Sequence, residues 1–231
     1  MENLPHPDTI IDALSIDCVI FGFKDGRLDI LLVKHGEGIS AGKWALPGGW
    51  ITYGESVDDA AKRLLNSLTG IRDIYLEQLK AFGDPNRYPS RRVVTVAYYA
   101  LVNEENYALI PGFTASDAQW FSIHDLPPLI YDHDQILDYG YRQLKHKVRH
   151  EPIGFNLLPA KFTLLQLQEL YEAILETKLD KSNFRRKLAK MKLLIDCKEK
   201  QKDVSHRAAE LYKFDKRVYV TLRKNGMVFG L

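Results

Sequence analysis

The residues best suited to recognition chemistry in this 231-residue chain form a short basic segment, 182–190. At about 100° per residue, polar side chains fall on one side of a helix there and apolar ones on the other. The polar set is Asn183, Arg186, Lys187 and Lys190, flanked by Ser182 and Arg185, and the apolar set is Phe184, Leu188, Met191 and Ile195. Arginine can bridge guanine and asparagine can bridge adenine in the major groove, while lysines suit phosphates. The pattern predicts a helix that contacts duplex DNA.

Two capped helices would position that basic face. Thr163 and Gln166 form a capping box at the start of the first predicted helix. Asp180 is the expected N-cap of the second helix, which we expect to run to about Lys192. A solvated basic helix is the alternative, and the capped helix in front of it disfavours that alternative.

A basic hairpin follows the two helices. Strands are expected at 193–195 and 211–214, and a last helix at 216–224. The polar tip between the strands carries Lys198, Lys200, Lys202, His206 and Arg207. Helix, turn, helix and hairpin is the element order of a winged helix-turn-helix, so Lys202 and Arg207 are predicted to contact DNA from the wing.

A glycine-rich loop in the front half carries a second motif. The residues Leu46-Pro47-Gly48-Gly49-Trp50 precede Glu55 and a predicted helix, 57–68, that ends at Gly70. The spacing of these residues resembles the Nudix box. The positions in register are Gly49, Glu55, Arg63, Leu65, Gly70 and Ile71. The resemblance implies a Nudix-type fold over about residues 9–149.

The positions that would bind a metal in that family hold other residues here. Active Nudix hydrolases use helix glutamates to bind Mg²⁺, which requires hard oxygen ligands. The three corresponding positions are Leu64, Ser67 and Leu68, and Asp58 and Asp59 lie about two turns earlier. The resemblance therefore implies no metal at this helix, no cofactor and no enzymatic hydrolysis by the usual mechanism.

Strand-like segments before and after the central helix predict an α/β (α+β) sandwich for the front half. Strands are expected at 15–23, 28–33, 92–102 and 119–123, followed by a helix at 134–148. The stretch 151–160 contains two prolines and a glycine, which resist helix continuation. We therefore expect a Nudix-like domain at 1–150, a linker at 151–160 and a winged helix-turn-helix domain at 161–231.

Charge divides between the same two halves. The chain carries 32 basic and 30 acidic residues, a net charge of +2. Residues 1–150 hold 15 basic and 20 acidic residues, whereas residues 151–231 hold 17 and 10. The basic rear half favours a polyanionic partner. The alternative is that the surface charge is merely uneven and reflects no partner.

Composition excludes several classes of protein. A hydrophobic fraction of 45% is typical of globular proteins and excludes collagen-like and disordered chains. The two cysteines lie far apart in the sequence, which excludes a fold held together by disulfides. Neither a signal peptide nor an apolar stretch of about 20 residues is visible, so the expected location is the cytoplasm, with no membrane partner.

Both halves resemble Nudix-related transcriptional regulators. The resemblance is carried by 162–172, 179–188 and Phe82-Gly83-Asp84-Pro85-Asn86-Arg87 with Arg92-Val93-Val94. In that family an inactive Nudix domain binds a small effector, and a winged helix binds operator DNA as a homodimer. One branch senses ADP-ribose and controls NAD metabolism, and another senses pentose sugars such as arabinose. Ser205-His206-Arg207-Ala208-Ala209 departs from the family's Gly-Arg-Pro-containing wing turn, which puts the wing contacts in doubt.

Motif position suggests which residues contact the effector. The candidates are Lys43, Trp44, Trp50, Glu55, Asp84, Arg87 and Arg92. Because no Mg²⁺ is expected to neutralise a diphosphate, a pentose such as L-arabinose is favoured. ADP-ribose is the alternative, since Lys43, Arg87 and Arg92 could hold phosphates. Two of these residues have structural alternatives to effector binding. Trp44 could instead pack in the core, and Glu55 could instead pair with an arginine.

The predicted function is thus a ligand-responsive, homodimeric regulator of transcription that binds operator DNA. Two hypotheses of other classes compete with it. One is an active Nudix ADP-ribose hydrolase, and the other is an RNA-binding Nudix protein.

Overall fold

The computed structural model describes residues 13–70, 75–104, 109, 115–202, 207–224 and 229–230. Contacts divide the chain into two compact units. The first comprises 1–20, 30–100 and 107–140, and the second comprises 21–29, 101–106 and 141–231. The predicted boundaries at 150 and 160 stay a prediction. The described residues contain no helix long and apolar enough to cross a bilayer.

A seven-stranded sheet forms the front of the chain, in the order β3-β2-β1-β6-β5, with β4 on β1 and β7 on β2. Its strands are β1 (Leu14–Lys24), β2 (Arg27–His35), β3 (Trp44–Ala45), β4 (Gly48–Trp50), β5 (Tyr75–Phe82), β6 (Val94–Val102) and β7 (Ala115–Ser122). β1, β2 and β6 are almost continuously buried, which explains their long runs of apolar residues. Four of these strands were predicted, and β3, β4 and β5 were not.

The helix after the glycine loop begins and ends where its capping residues predict. In α1 (Val57–Thr69), the Ser56 hydroxyl accepts from the Asp59 amide, and Gly70 ends the helix at φ 72°. This φ is left-handed, a conformation that favours glycine. Ile71, which is in register with the Nudix pattern, lies outside the described residues.

A longer helix, α2 (His133–His150), ends the Nudix-like region. Its last turn carries Lys147, Arg149 and His150, and positive charge is favourable at this end of a helix. The expected helix at 134–148 is confirmed, one residue short at the start and two at the end.

The stretch expected to be a linker is well packed within the second unit. It contains a 3-10 helix, Pro152–Leu157, in which most side chains are buried. Phe155 stacks on Phe214 with ring centroids 4.3 Å apart. A Cβ added at Gly154 would lie 3.5–3.6 Å from Leu170 and Tyr171. Thus the prolines end the preceding helix without leaving the chain exposed.

The rest of the second unit has the winged-helix order. Its elements are α3 (Leu164–Leu175), α4 (Lys181–Met191), β8 (Leu194–Lys200), β9 (Glu210–Phe214) and α5 (Lys216–Lys224). The Thr163–Gln166 capping box and the Asp180 N-cap are both formed, so the predicted helix starts are confirmed. One assignment was wrong. Ile195 lies in β8 and is 46% exposed, because the helix ends before it, so it is not part of the apolar helix face.

Candidate functional site

A cavity of about 210 Å³ lies in the first unit, beside the glycine loop. β1, β2 and β4 supply part of its lining, and the segments 37–40, 87–93 and 130–133 supply most of the rest. Gly48 has to be glycine, because a Cβ there would lie 2.4 Å from Asp17 Oδ1 and 2.5 Å from the Ile16 carbonyl oxygen. The loop therefore approaches β1 closely and closes one side of the cavity.

One wall of the cavity is aromatic. The Trp50 and Tyr88 rings meet edge to face at 6.0 Å, and the Tyr88 and Tyr131 rings do so at 5.0 Å. The Tyr131 hydroxyl is 2.6 Å from the Ser40 hydroxyl, which holds that ring in place. The Arg91 guanidinium lies 4.5 Å from the Trp50 ring centroid. Such a wall suits a flat or apolar ligand group.

A buried ionic cluster contributes Asp17, Arg87 and His133 to the lining of the cavity. The Arg87 side chain is only 3% exposed and donates to both Asp132 oxygens, at 3.0 and 2.8 Å. Its Nη2 also donates to Asp17 Oδ2 at 3.2 Å. Because charges this deeply buried require partners, Asp17 and Asp132 hold Arg87 in one geometry.

His133 joins the same cluster as a neutral side chain. Its Nδ1 accepts the Leu46 amide at 3.0 Å, so the ring proton is on Nε2, which lies 3.6 Å from Asp17 Oδ1. Burial lowers the pKa of His133, outweighing the opposing attraction of Asp17. The cluster thus joins Arg87 to two carboxylates and a histidine that burial keeps neutral.

The glutamate of the Nudix-like loop is bound by an arginine. Arg63 donates to both Glu55 oxygens, at 2.8 and 2.6 Å, and to the Trp50 carbonyl at 2.9 Å. The Thr52 amide and hydroxyl donate to the same carboxylate. The arginine hydrogen bond is the largest of the effects that lower the pKa of Glu55 to about 2. Glu55 therefore braces the loop against α1.

The face of α1 towards the loop is apolar. A Cβ at Gly49 would lie 2.7 Å from Leu64 Cδ2, so Leu64 fills the space behind the loop. The Ser67 hydroxyl donates to the Leu64 carbonyl, and Asp58 accepts from the Tyr98 hydroxyl. The Leu68 side chain lies outside the described residues. This donor set does not fit Mg²⁺, which needs several oxygen ligands in octahedral array.

The second candidate site is the exposed face of α4. Phe184 and Leu188 are buried, and the Phe184 ring lies 6.0 Å from that of Tyr171 on α3. The residues left exposed are Ser182, Asn183, Arg185, Arg186, Lys187 and Lys190. Arg186 donates to the Asn183 side-chain oxygen, so the two residues form one polar unit on the surface. The predicted division into an apolar and a basic helix face is confirmed.

The hairpin β8–β9 carries both paired and exposed cations. Lys198 pairs with Asp196 at 2.7 Å, and Lys161 pairs with Glu199. Lys202 and Arg207 are exposed at either end of the tip, whereas Ser205 and His206 lie outside the described residues. Part of the positive charge expected at the wing is thus neutralised locally.

Comparison with known proteins identifies both domains. Residues 12–143 match the NUDIX domain family, and residues 154–214 match the NrtR DNA-binding winged helix domain. The chain is 32% identical over 205 residues to the "ADPR responsive transcriptional repressor NtrR" of Acinetobacter baylyi, across 87% of this chain and 81% of that protein. The chain belongs to the NrtR family of Nudix-related transcriptional regulators. It is thus a DNA-binding regulator with a Nudix effector domain.

Solved NrtR structures share the architecture. Shewanella oneidensis NrtR complexed with a 27mer DNA is 31% identical, with a TM-score of 0.79 over 90% of this chain and 95% of that one. The NUDIX domain of the same NrtR complexed with ADP ribose matches 61% of this chain and 94% of that one, at 31% identity and a TM-score of 0.54. An ADP-ribose pyrophosphatase of Methanocaldococcus jannaschii is 31% identical over 55% of this chain and 72% of that protein.

Of the residues predicted to lie near the effector of this NrtR-family chain, Trp50 and Arg87 line the cavity. Lys43, Trp44, Glu55, Asp84 and Arg92 are not among the lining residues. Trp44 packs edge to face on Phe121, and the Asp84 carboxylate accepts the Asn86 amide within a turn. Arg92 is half-buried, and its Nη1 has no hydrogen-bond partner among the described residues.

Sequence reasoning missed several lining residues of this site. They are Asp17, Tyr88, Tyr131 and His133. Asp17 lies within an apolar strand and His133 at a helix start, more than 100 residues apart in the sequence. The available signal was a charged residue inside a run of buried strand positions, since such charges need partners.

Proposed function

We propose that this protein is a transcriptional regulator whose Nudix domain binds ADP-ribose and whose winged helix binds operator DNA. The observation that carries the proposal is the 32% identity, across both domains, to a repressor described as ADPR responsive. The cavity supplies a place for such a ligand, with an aromatic wall and polar groups at its base. ADP-ribose therefore replaces the pentose favoured by the sequence alone.

The effector domain is proposed to bind ADP-ribose without hydrolysing it. Leu64 closes the space behind the glycine loop, and Arg63 engages both oxygens of Glu55. Neither arrangement leaves a carboxylate ready to hold Mg²⁺ at this helix. The likeness to an ADP-ribose pyrophosphatase favours a hydrolase as the second candidate. Hydrolysis of the diphosphate bond of ADP-ribose to AMP and ribose 5-phosphate with Mg²⁺ would support that candidate and contradict a purely sensory domain.

DNA contact is proposed for the exposed residues of α4 and for the wing. The proposed contacts are Ser182, Asn183, Arg185, Arg186, Lys187, Lys190, Lys202 and Arg207. The α4 residues present an amide and cations on a helix whose opposite face is buried. Arg186 and Asn183 are suited to base edges, and the lysines to phosphates. A homodimer would let two such helices bind two half-sites about one helical turn apart.

ADP-ribose can control DNA binding only if its affinity differs between the arrangement of the protein that binds DNA and the arrangement that does not. The first test is fluorescence anisotropy with a duplex selected by the full-length protein from a random-sequence library, at several salt concentrations. We expect a steep salt dependence and release of the duplex by ADP-ribose but not by L-arabinose. Release by arabinose, or tight ADP-ribose binding with no effect on DNA binding, would contradict the proposal.

A further inference from the structure

A second cavity, of about 420 Å³, lies within the second unit. Its lining includes the starts of α3 and α4 and residues that follow β8 and precede β9. The turn 24–26, which joins β1 to β2, also contributes to the lining. Because Arg185 and Arg207 line this cavity and are also proposed contacts of the operator, the cavity borders the proposed DNA-binding surface.

Cations outnumber carboxylates in the lining of this cavity. The cations are Lys24, Lys181, Arg185 and Arg207, and the carboxylates are Asp25 and Glu169. Lys24, Lys181 and Arg185 are exposed, and none of the three forms an ion pair with another residue that the structure describes. A site of this charge attracts an anion.

A tight turn determines the position of Lys24, the last residue of β1. Asp25 and Gly26 have φ of 50° and 76°, so both central residues of the turn are left-handed. This is the geometry of a two-residue hairpin turn, for which the sequence Asp-Gly is favoured. Lys24 is therefore held at the end of a strand, and only its side chain has to be ordered when an anion binds.

The charges around the turn leave the Lys24 ammonium available. Arg27, on the other side of the turn, donates to both oxygens of Asp29, at 2.6 and 2.8 Å. Burial is the main effect that raises the pKa of the Glu104 carboxyl to about 7, and Arg27 and Lys24 oppose that rise only in part. At neutral pH this carboxyl is therefore only partly ionised, and it compensates little of the charge of Lys24.

We propose that Lys24, together with Lys181 and Arg185, binds a phosphate of the operator backbone. This inference rests on the proposed function and adds to it a DNA contact from outside residues 154–214, which match the winged helix family. A lysine ammonium acts on phosphate as a point charge, so the contact fixes the position of the duplex without reading its sequence. A small phosphate compound shares this chemistry, and DNA is favoured because the cavity borders the exposed face of α4.

Lys24→Gln tests the contact, by fluorescence anisotropy of the full-length protein with the selected duplex and with an unrelated duplex of equal length. One phosphate contact contributes about 0.9 to the slope of log affinity against log salt. Between 50 and 200 mM salt, the variant should therefore lose about 3.5-fold less affinity than the wild type. Its deficit at low salt should be equal on both duplexes. An unchanged slope overturns the inference, whereas a wild-type protein that selects no duplex contradicts the proposed function itself.

Two further variants separate a local contact from net charge. Lys62→Gln removes the same charge from an exposed residue of α1, and it should keep the wild-type slope. Asp25→Asn removes a carboxylate from the cavity, and asparagine tolerates the left-handed backbone of the turn. This variant should bind both duplexes about 2-fold more tightly or better at 50 mM salt. Equal slopes for Lys24→Gln and Lys62→Gln, or weaker binding by Asp25→Asn, would contradict the inference.

Inorganic pyrophosphate tests the other source of phosphate. It is titrated into the DNA-free protein by isothermal titration calorimetry, with Lys24→Gln in parallel. We expect only weak binding, because a small anion gains none of the other contacts that a duplex makes. Tight binding that depends on Lys24, with a DNA salt slope that does not, would assign the cavity to a small anion and overturn the DNA contact.

Discussion

Replacing Arg87 with methionine should destabilise the first unit strongly. The Arg87 side chain is 3% exposed, and the Asp17 and Asp132 side chains are 9% and 10% exposed. Methionine fills similar space but leaves both carboxylates buried without their cation. Removing one partner of a buried ion pair costs about 3–5 kcal/mol, and here the three hydrogen bonds from Arg87 place the expected loss in that range.

Urea unfolding followed by tryptophan fluorescence measures the loss in free energy of unfolding in the Nudix region. The three tryptophans, Trp44, Trp50 and Trp120, all lie before residue 150. Their emission therefore reports on the Nudix region, and the winged helix contributes none. The free energy of unfolding is obtained by linear extrapolation to zero urea.

The matched control is Arg63→Met, which removes an equally well-formed ion pair with Glu55 at a surface where the arginine side chain is 42% exposed. Exposed pairs contribute about 0–1 kcal/mol, so this variant should stay near the wild type. Arg87→Met/Asp132→Leu should lose less than the sum of its single variants, because one orphaned charge is gone. If Arg87→Met and Arg63→Met lower the free energy of unfolding by the same amount, burial is not the reason that the Arg87 ion pairs matter for stability.

Arg186→Ala should weaken operator binding by about 1–3 kcal/mol and relax base preference at one position, as measured by anisotropy. Burial is the main effect that raises the pKa of Glu104 to about 7. Its folded state therefore holds a proton that the unfolded state has lost, so stability falls as pH rises from about 4.5 to about 7; Glu104→Gln should flatten this fall in thermal unfolding. The triple variant Leu64→Glu/Ser67→Glu/Leu68→Glu should not by itself hydrolyse ADP-ribose with Mg²⁺, because Arg63 still binds both oxygens of Glu55 in the adjacent loop.

Each of these three predictions can be contradicted by a specific result. Lys62→Ala removes the same charge as Arg186→Ala from an exposed site on α1, so it should leave operator binding unchanged. Equal effects of the two would mean that only net charge matters. A pH slope identical in wild type and Glu104→Gln would exclude that carboxyl as its source. Robust turnover by the triple variant would mean that the pocket retains a hydrolase geometry.

Local features of both units were predictable because their signals are short-range. The Thr163–Gln166 box and the Asp180 cap act within one helical turn, and both form as expected. The Glu55–Arg63 pair follows from spacing along one loop and helix. The basic face of α4 follows from helical periodicity, since burial of Phe184 and Leu188 determines which side remains exposed.

Features that depend on chain topology could not be predicted in this way. β5, with the sequence YLEQLKAF, lacks clear alternation of apolar and polar residues, and its strand conformation depends on pairing with β6. Asp17 and His133 meet because a strand and a helix start converge, which no local pattern records. Lys43 was placed near the effector by motif position, yet it is exposed and does not line the cavity.

The packed 3-10 segment determines how such a regulator could be dissected into parts. Phe155 stacks on Phe214, and Gly154 lies against Leu170 and Tyr171, so these residues belong to the core of the C-terminal half. A fragment cut at residue 161 would lose the Phe155 ring that stacks on Phe214, so more of the half-buried Phe214 side chain would be exposed to water. A chimera that grafts this DNA-binding half onto a different sensor should therefore place its junction ahead of Pro152.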